Sequence, residues 1–235
     1  MVFFRSKSKG VTLVELSIVL AIFGILIIVG ISGRALIDIS RTNATMQYLN
    51  HRSIAFQTFE TTYDCLPGDC AKDLTQINVT AKGDGDTIIE LNGATTGAAT
   101  AANNELAFVE EHFVKAKLFN RTITPTIVAL AQTTTDNKLS AILPIVKIPS
   151  TYVSTFTIAS KNYNVLGALS SVDENIVNGT PVAYPNLFRI IDAKLDDGDA
   201  EKGIARCETT DITTSTTTLT GAAYSTTACV FAIEI

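Results

Sequence analysis

The chain has 235 residues and a formal net charge of -5, from 18 basic and 23 acidic side chains, and 46% of it is hydrophobic. Beyond the first ten residues the basic side chains form no run, so the electrostatic footprint of a nucleic-acid binder is not visible and nucleic acid is an unlikely partner. Two histidines and the lack of a G-x-S-x-G, H-E-x-x-H or P-loop pattern leave the usual nucleophilic and metal-dependent hydrolases without their parts.

The chain opens Met1-Val2-Phe3-Phe4-Arg5-Ser6-Lys7-Ser8-Lys9-Gly10, with three cations and no acid. The positive-inside rule keeps such a segment cytoplasmic. Val11 to Ile31 is then apolar apart from Glu15 and a few small or hydroxyl residues. Its roughly 21 residues span about 32 Å as a helix, enough to cross a hydrocarbon core. A secretory signal has a shorter apolar region with its cleavage site on the far side. Here the small residue, Gly10, comes first, so cleavage after it would leave the helix on the processed protein.

Glu15 needs a reason, because a carboxylate in a spanning helix costs about 2.5–3.5 kcal/mol. It could snorkel, being one turn from the basic boundary. Cleavage after Gly10 supplies another reason, a cationic α-amine on Val11, four residues away. Glu15 can neutralise that amine within its own helix or, in a packed bundle, the amine of a neighbouring subunit. The second arrangement makes the charge an assembly signal.

Lys9-Gly10 followed by Val11-Thr12-Leu13-Val14-Glu15-Leu16 resembles the prepilin processing site of type IV pilins and type II secretion pseudopilins. The resemblance implies a membrane-bound aspartic peptidase, the prepilin peptidase, that cuts after Gly10 and methylates Val11, with Glu15 as the glutamate of assembly. It implies other pilin or pseudopilin subunits and an inner-membrane assembly platform as partners. It also implies a single pass of the bacterial inner membrane with the amino terminus cytoplasmic, and later a periplasmic or cell-surface filament. Val11 replaces the phenylalanine most common in that family, and Ser32 stands where many pilins carry a proline. Gly24, Gly30 and Gly33 each weaken a helix by about 1 kcal/mol relative to alanine. The expected domains are a leader at 1–10, a transmembrane and assembly helix at 11–33, and an exported globular domain at 34–235 that includes the second half of the helix.

Past the membrane run, Ile39, Met46, Leu49, Phe56, Phe59 and Tyr63 recur at helical steps, while Arg34, Asp38, Arg41, Asn50 and Arg52 read as the polar face. Pro67-Gly68 stops the helix near Tyr63 or Asp64. A single helix from about Thr12 to Tyr63 would be about 78 Å long. His51 lies on it as a solvated or packing residue.

Four cysteines allow three connectivities, and their spacing favours Cys65 with Cys70 and Cys207 with Cys229. Pro67-Gly68 bends the chain between the first two. Zinc is disfavoured, since neither His51 nor His112 is near either pair in sequence. An oxidising compartment favours bridges.

Two turn-rich stretches, Ala81 to Asp86 and Asn92 to Gly97, flank a short strand-like Thr87 to Leu91. Asn103 to Phe119 reads as a helix with Leu106, Val109, Phe113 and Ala116 on one face and Asn103 or Asn104 as cap. Ile127 to Ala131, Ala141 to Ile148 and Tyr152 to Ala159 read as strands, Leu187 to Leu195 as a helix or strand, and Cys229 to Ile235 as a terminal strand. An antiparallel sheet beside a long helix gives class α+β, a pilin-like fold.

Three further blocks are similar to a group of prepilin-type proteins: Tyr63 to Asp69, with its Y-x-x-L-P-G-D pattern; Asn104-Glu105 with Ala116-Lys117-Leu118; and Ile191 to Gly198. Asp84 with Asp86, and Asp192, Asp196, Asp197 and Asp199 around Gly198, invite a calcium reading. Neither set has EF-hand spacing, so they read first as turn residues, with no cofactor expected and calcium as the alternative. The threonine-dense stretch from Glu208 to Thr227 reads as a solvated loop or an adhesive surface. The expectation is a non-catalytic filament subunit. Its alternatives are a minor tip pilin for adhesion or DNA uptake and, in a different class, a membrane-anchored hydrolase.

Overall fold

A computed structural model describes residues 10–79, 82–89, 105–122, 143–168, 180–212, 218–224 and 227–235, without the side chains of 29–32 and 156. Outside these residues lie the leader up to Lys9, the end of the strand-like Thr87 to Leu91, the turn from Asn92 to Gly97 and the expected caps Asn103 and Asn104. The expected strand from Ile127 to Ala131 and the start of Ala141 to Ile148 also lie outside them.

The first element, α1, is a helix of 51 residues from Leu13 to Tyr63. Two compact units meet within it, one ending at Ser40 and the other beginning at Arg41. In the first unit the apolar side chains are exposed, Leu13, Val14, Leu20 and Leu26 among them. An 18-residue window there has mean hydropathy 2.8 with none of it buried. A helix satisfies its own backbone, which is the condition for entering lipid.

In the second unit one stripe of the helix is buried: Thr42, Thr45, Leu49, Arg52, Ala55, Phe56 and Phe59. Their steps of one, three and four residues trace a single helical face. Two sequence expectations fail along α1. Ile39, placed on the apolar stripe, is 47% exposed, and Arg52, placed on the polar face, has no exposed surface. Helical periodicity put Arg52 in line with Leu49 and Phe56, but charge made it read as solvated.

After a short 3-10 turn at Thr75–Ile77 comes α2, Glu105–Lys115, which stops before Phe119, the expected end of the helix. Lys117, with φ 58°, ends it in the left-handed region, while the Leu118 amide bonds back to the Phe113 carbonyl at 2.9 Å. The sheet is antiparallel in the order β1-β2-β4-β3, with β1 at Tyr152–Ile158, β2 at Lys161–Gly167, β3 at Ala205–Glu208 and β4 at Val230–Glu234. Helix α3, Pro185–Leu195, precedes β3 and starts with a proline, which tolerates the first helical turn. The expected strand from Ala141 to Ile148 is, in its described part, a single bridge from Ile145 to Tyr152. Pro144 interrupts it and Pro149 follows it, and neither can donate to a ladder. Among the described residues Thr87 to Ile89 is not a strand. Ile89 nonetheless exchanges bonds with β1, its amide donating to Thr157 Oγ1 and its carbonyl accepting the Thr157 amide.

Strand residues alternate between two apolar clusters, as the period of two requires. Val165, Val230 and Ala232 join Phe59, Leu106, Val109 and Phe113 in one. Leu166, Phe231 and Ile233 join Leu49, Leu187, Phe188 and Ile191 in the other.

Arg52 lies where these elements converge. It pairs with Glu110 of α2 at 2.5 Å, and donates to Asn164 Oδ1 of β2 and Thr155 Oγ1 of β1, each at 2.8 Å. Its guanidinium also lies 5.2 Å from the centre of the Phe113 ring. Burial pulls the Arg52 pKa down, but Glu110 and Tyr48 together, by charge and by hydrogen bond, outweigh it and hold the guanidinium above its usual range. Burial likewise pushes the neighbouring Tyr48 phenol up to about 12.

Truncation tests this arrangement. Arg52→Ala leaves Glu110 buried with Arg121, at 3.3 Å, as its remaining ion pair among the described residues, and is expected to cost about 3–5 kcal/mol in urea unfolding followed by circular dichroism. Replacing the pair by Arg52→Met with Glu110→Leu should recover much of that loss, because no fully buried charge is left unpaired and Arg121, which loses Glu110, is partly exposed.

Candidate functional site

Thr12 is the residue before the first helical position of α1 and acts as its N-cap. Its hydroxyl accepts the Glu15 amide at 3.2 Å and donates to Glu15 Oε2 at 3.0 Å, while the Thr12 amide donates to the same oxygen at 2.8 Å. This reciprocal pair is a capping box, T-x-x-E, which satisfies amides that the first helical turn leaves without partners. It also places a negative charge at the positive end of the helix dipole. Glu15 is therefore held by its own helix end. Both bonds use Oε2, and the residue bearing the expected amine, Val11, adjoins the amide that this oxygen already holds.

The expected cleavage point is open on all sides. No atom lies within 4 Å of where a Cβ on Gly10 would sit, and Val11 is 73% exposed. The same openness holds around Gly24 and Gly33.

The four cysteines form two bridges, Cys65 to Cys70 and Cys207 to Cys229, with Cα separations of 5.3 and 5.6 Å. The first closes the Tyr63 to Asp69 block, and the structure gives each residue of Pro-Gly-Asp a task. Pro67 stops helix continuation. Gly68 has φ 97° and packs on α2, where a Cβ would meet Val109 Cγ2 at 2.6 Å and the Glu105 carbonyl oxygen at 2.7 Å. Its amide donates to His112 Nδ1 at 2.9 Å, and the His112 ring stacks on Phe59 at 5.2 Å. His112, far from this bridge in sequence, is thus beside its loop in space. Asp69 accepts the amides of Gly85 at 2.6 Å and Thr87 at 2.7 Å, pinning the turn from Lys82 to Ile89. Burial raises the Asp69 pKa against these two bonds, helped by Asp86 and Asp84. His51 is exposed and meets Phe119 edge-on at 4.5 Å.

The calcium candidates separate in the fold. Asp84 and Asp86 each accept an amide two residues on, from Asp86 and Ile88, which is turn geometry. Asp84 groups with Asp69 and Glu105 rather than with Asp86. Asp199 accepts the Glu201 amide and pairs with Lys202 at 2.8 Å. Asp192, Asp196 and Asp197 come together. Asp192 is fully buried and accepts the Tyr224 hydroxyl at 2.8 Å. Tyr224 was invisible as a partner because it lies inside the threonine-dense stretch, 32 residues away in sequence. Thr12 as a cap was missed, although T-x-x-E ahead of an apolar run is a helix-start signature that could have found it.

A long amino-terminal helix with an apolar stretch, followed by an antiparallel sheet, gives this chain the α+β architecture of pilin-like proteins. Residues 5–31 match the family model of the prokaryotic N-terminal methylation motif, the type IV prepilin-like signal, and the chain fits a pilin or pseudopilin. That motif implies processing by prepilin peptidase and assembly with other pilin subunits, and the apolar helix is consistent with membrane anchoring. No curated protein and no solved structure matches the chain.

The capping box has a measurable weight. Thr12→Ala should destabilise the helix start by about 1 kcal/mol and speed amide exchange over Leu13 to Leu16 about fivefold in detergent micelles. Exchange near Phe59 should stay unchanged.

Proposed function

We propose that the protein is a structural, non-catalytic subunit of a type IV pilus or a type II secretion pseudopilus, cleaved after Gly10 and N-methylated on Val11. The observation that carries this reading is the methylation motif at 5–31, running without interruption into a capped and wholly exposed apolar helix. The precursor sits in the bacterial inner membrane by a single pass, amino terminus inside, as the cations at Arg5, Lys7 and Lys9 direct. An inner-membrane platform then moves it into a periplasmic or cell-surface filament.

Cleavage converts the Gly10–Val11 peptide into a cationic amine next to the Thr12 amide that Glu15 Oε2 already accepts. Oε1 is the oxygen left for a further donor, and a neighbouring subunit's amine is a donor of matching charge. Lipid is as apolar as the helix, so leaving the membrane gains little hydrophobic free energy. Close packing and charge pairing must then supply the association, with the open surfaces at Gly24 and Gly33 allowing helices to approach.

Mass spectrometry of the full chain, expressed with and without an active prepilin peptidase, tests the processing step. The expected product lacks residues 1–10 and carries one added methyl on Val11. A chain left intact by the active enzyme removes the reading. Glu15→Gln tests the assembly step separately. It should insert into membranes at the wild-type level and be depleted from the sheared filament fraction, whereas normal incorporation would sink the role given to Glu15.

A further inference from the structure

We propose that the cavity between the start of α3, the loop at 198–201 and the segment at 223–224 binds a small zwitterion, a molecule of dipeptide size with one ammonium and one carboxylate. The cavity has a volume of about 510 Å³, within the range of about 300–1,000 Å³ usual for small-ligand sites. Asn186 and Arg189 line it from α3, Asp199 and Glu201 from the loop, and Tyr224 from the third segment.

The elements around this cavity differ in charge. On α3, Arg189 stands one turn from Asn186, whose amide can donate beside the guanidinium. The preceding residue, Tyr184, makes no side-chain bond to the helix start, so the positive end of the helix dipole adds to the same side. On the loop, Asp199 pairs with Lys202 at 2.8 Å and accepts the Glu201 amide at 3.1 Å. Lys202 is near enough to feel Glu201, yet its bond goes to Asp199. Arg189 and Glu201 are both exposed, and among the described residues neither side chain has an ion pair or a hydrogen bond. Opposite charges that line one cavity without reaching each other select a ligand charged at both ends. A simple anion would meet Glu201 and a simple cation Arg189, and each like-charge encounter works against binding.

Water solvates isolated surface charges, so the inference also needs walls that are fixed before a ligand arrives. Gly221, with φ 75°, packs so closely on the loop that a Cβ there would meet the Ala200 carbonyl oxygen and, at 2.6 Å, the Glu201 Cα. Its amide donates to Glu208 Oε1 at 2.7 Å, and the Ala222 amide donates to the Cys207 carbonyl at 2.6 Å, both on β3. The Cys207 to Cys229 bridge closes the same segment. Tyr224 is buried with its hydroxyl held by Asp192 at 2.8 Å. What it offers the cavity is therefore ring surface, against which an ammonium can gain a cation–π contact. Fixed walls lower the ordering cost of binding. A ligand with its carboxylate toward Arg189 and its ammonium toward Glu201 satisfies both charges at once. The site is independent of the filament reading above.

The full-length protein in detergent is titrated with L-alanyl-L-alanine by calorimetry at neutral pH. One saturable site is expected, with Kd of about 1 mM, the order that so small a ligand allows. Removing either ligand charge, in N-acetyl-L-alanyl-L-alanine or in L-alanyl-L-alanine amide, should weaken binding about tenfold or more. Arg189→Gln should erase the preference for the free acid over the amide and keep the preference for the free amine. Glu201→Gln should do the reverse. Both side chains are exposed and unbonded, so both variants should melt at the wild-type temperature. No saturable heat up to about 20 mM dipeptide, well above the expected Kd, overturns the assignment. So does binding indifferent to acetylation and amidation, or wild-type selectivity in both variants.

Discussion

One buried cation sets the arrangement of the globular unit. Arg52 leaves α1 between Leu49 and Phe56 and meets α2 through Glu110, β2 through Asn164 and β1 through Thr155. A planar guanidinium with five donors in a fixed fork accepts few alternative geometries. Helix α1 therefore has one rotational setting in which this fork is filled, and the apolar neighbours along the same face follow from it. The desolvation cost of such a pair is large. It is offset by the Glu110 carboxylate, two neutral acceptors and the face of Phe113 rather than by the ion pair alone.

The other end of the same helix obeys a different constraint. Its apolar side chains have no protein around them, and its one acid is satisfied locally by Thr12. Under the filament reading, local satisfaction would make the precursor a tolerable membrane guest, because a carboxylate with two donors costs far less in a membrane than a bare one. It also leaves the helix start organised before any partner arrives. Under the filament reading, assembly adds a donor to an existing capping box rather than building a site from a disordered end.

Much of this was legible from residues and spacing. The apolar run, the stop at Pro67-Gly68, the α+β class, the strand at Tyr152 and the terminal strand follow local rules, and the fold agrees with them. Strands β2 and β3 were missed for a physical reason. Lys161 to Gly167 carries two asparagines, one of which, Asn164, is buried as an acceptor for Arg52, so polarity hid a central strand. Ala205–Glu208 is only four residues long. The burial of Arg52, His112 and Asp192 escaped because a charged or polar side chain reads as solvated until its partners, distant in sequence, are seen. The acidic stretch after α3 illustrates the same limit: spacing argued for turns, and only Tyr224 and a buried oxygen distinguish Asp192 from its neighbours.

Because α1 changes surroundings between Ser40 and Arg41, one helix carries two regimes of tolerance to substitution. Before that point, swapping one large apolar residue for another keeps the apolarity that a lipid-facing helix needs, wherever no neighbouring helix packs. After it, the same swap at Leu49, Phe56 or Phe59 changes the shape of a packed core, where even one methylene is felt. Residue exchange along this helix should therefore be loose in identity and strict in polarity upstream, and strict in volume downstream.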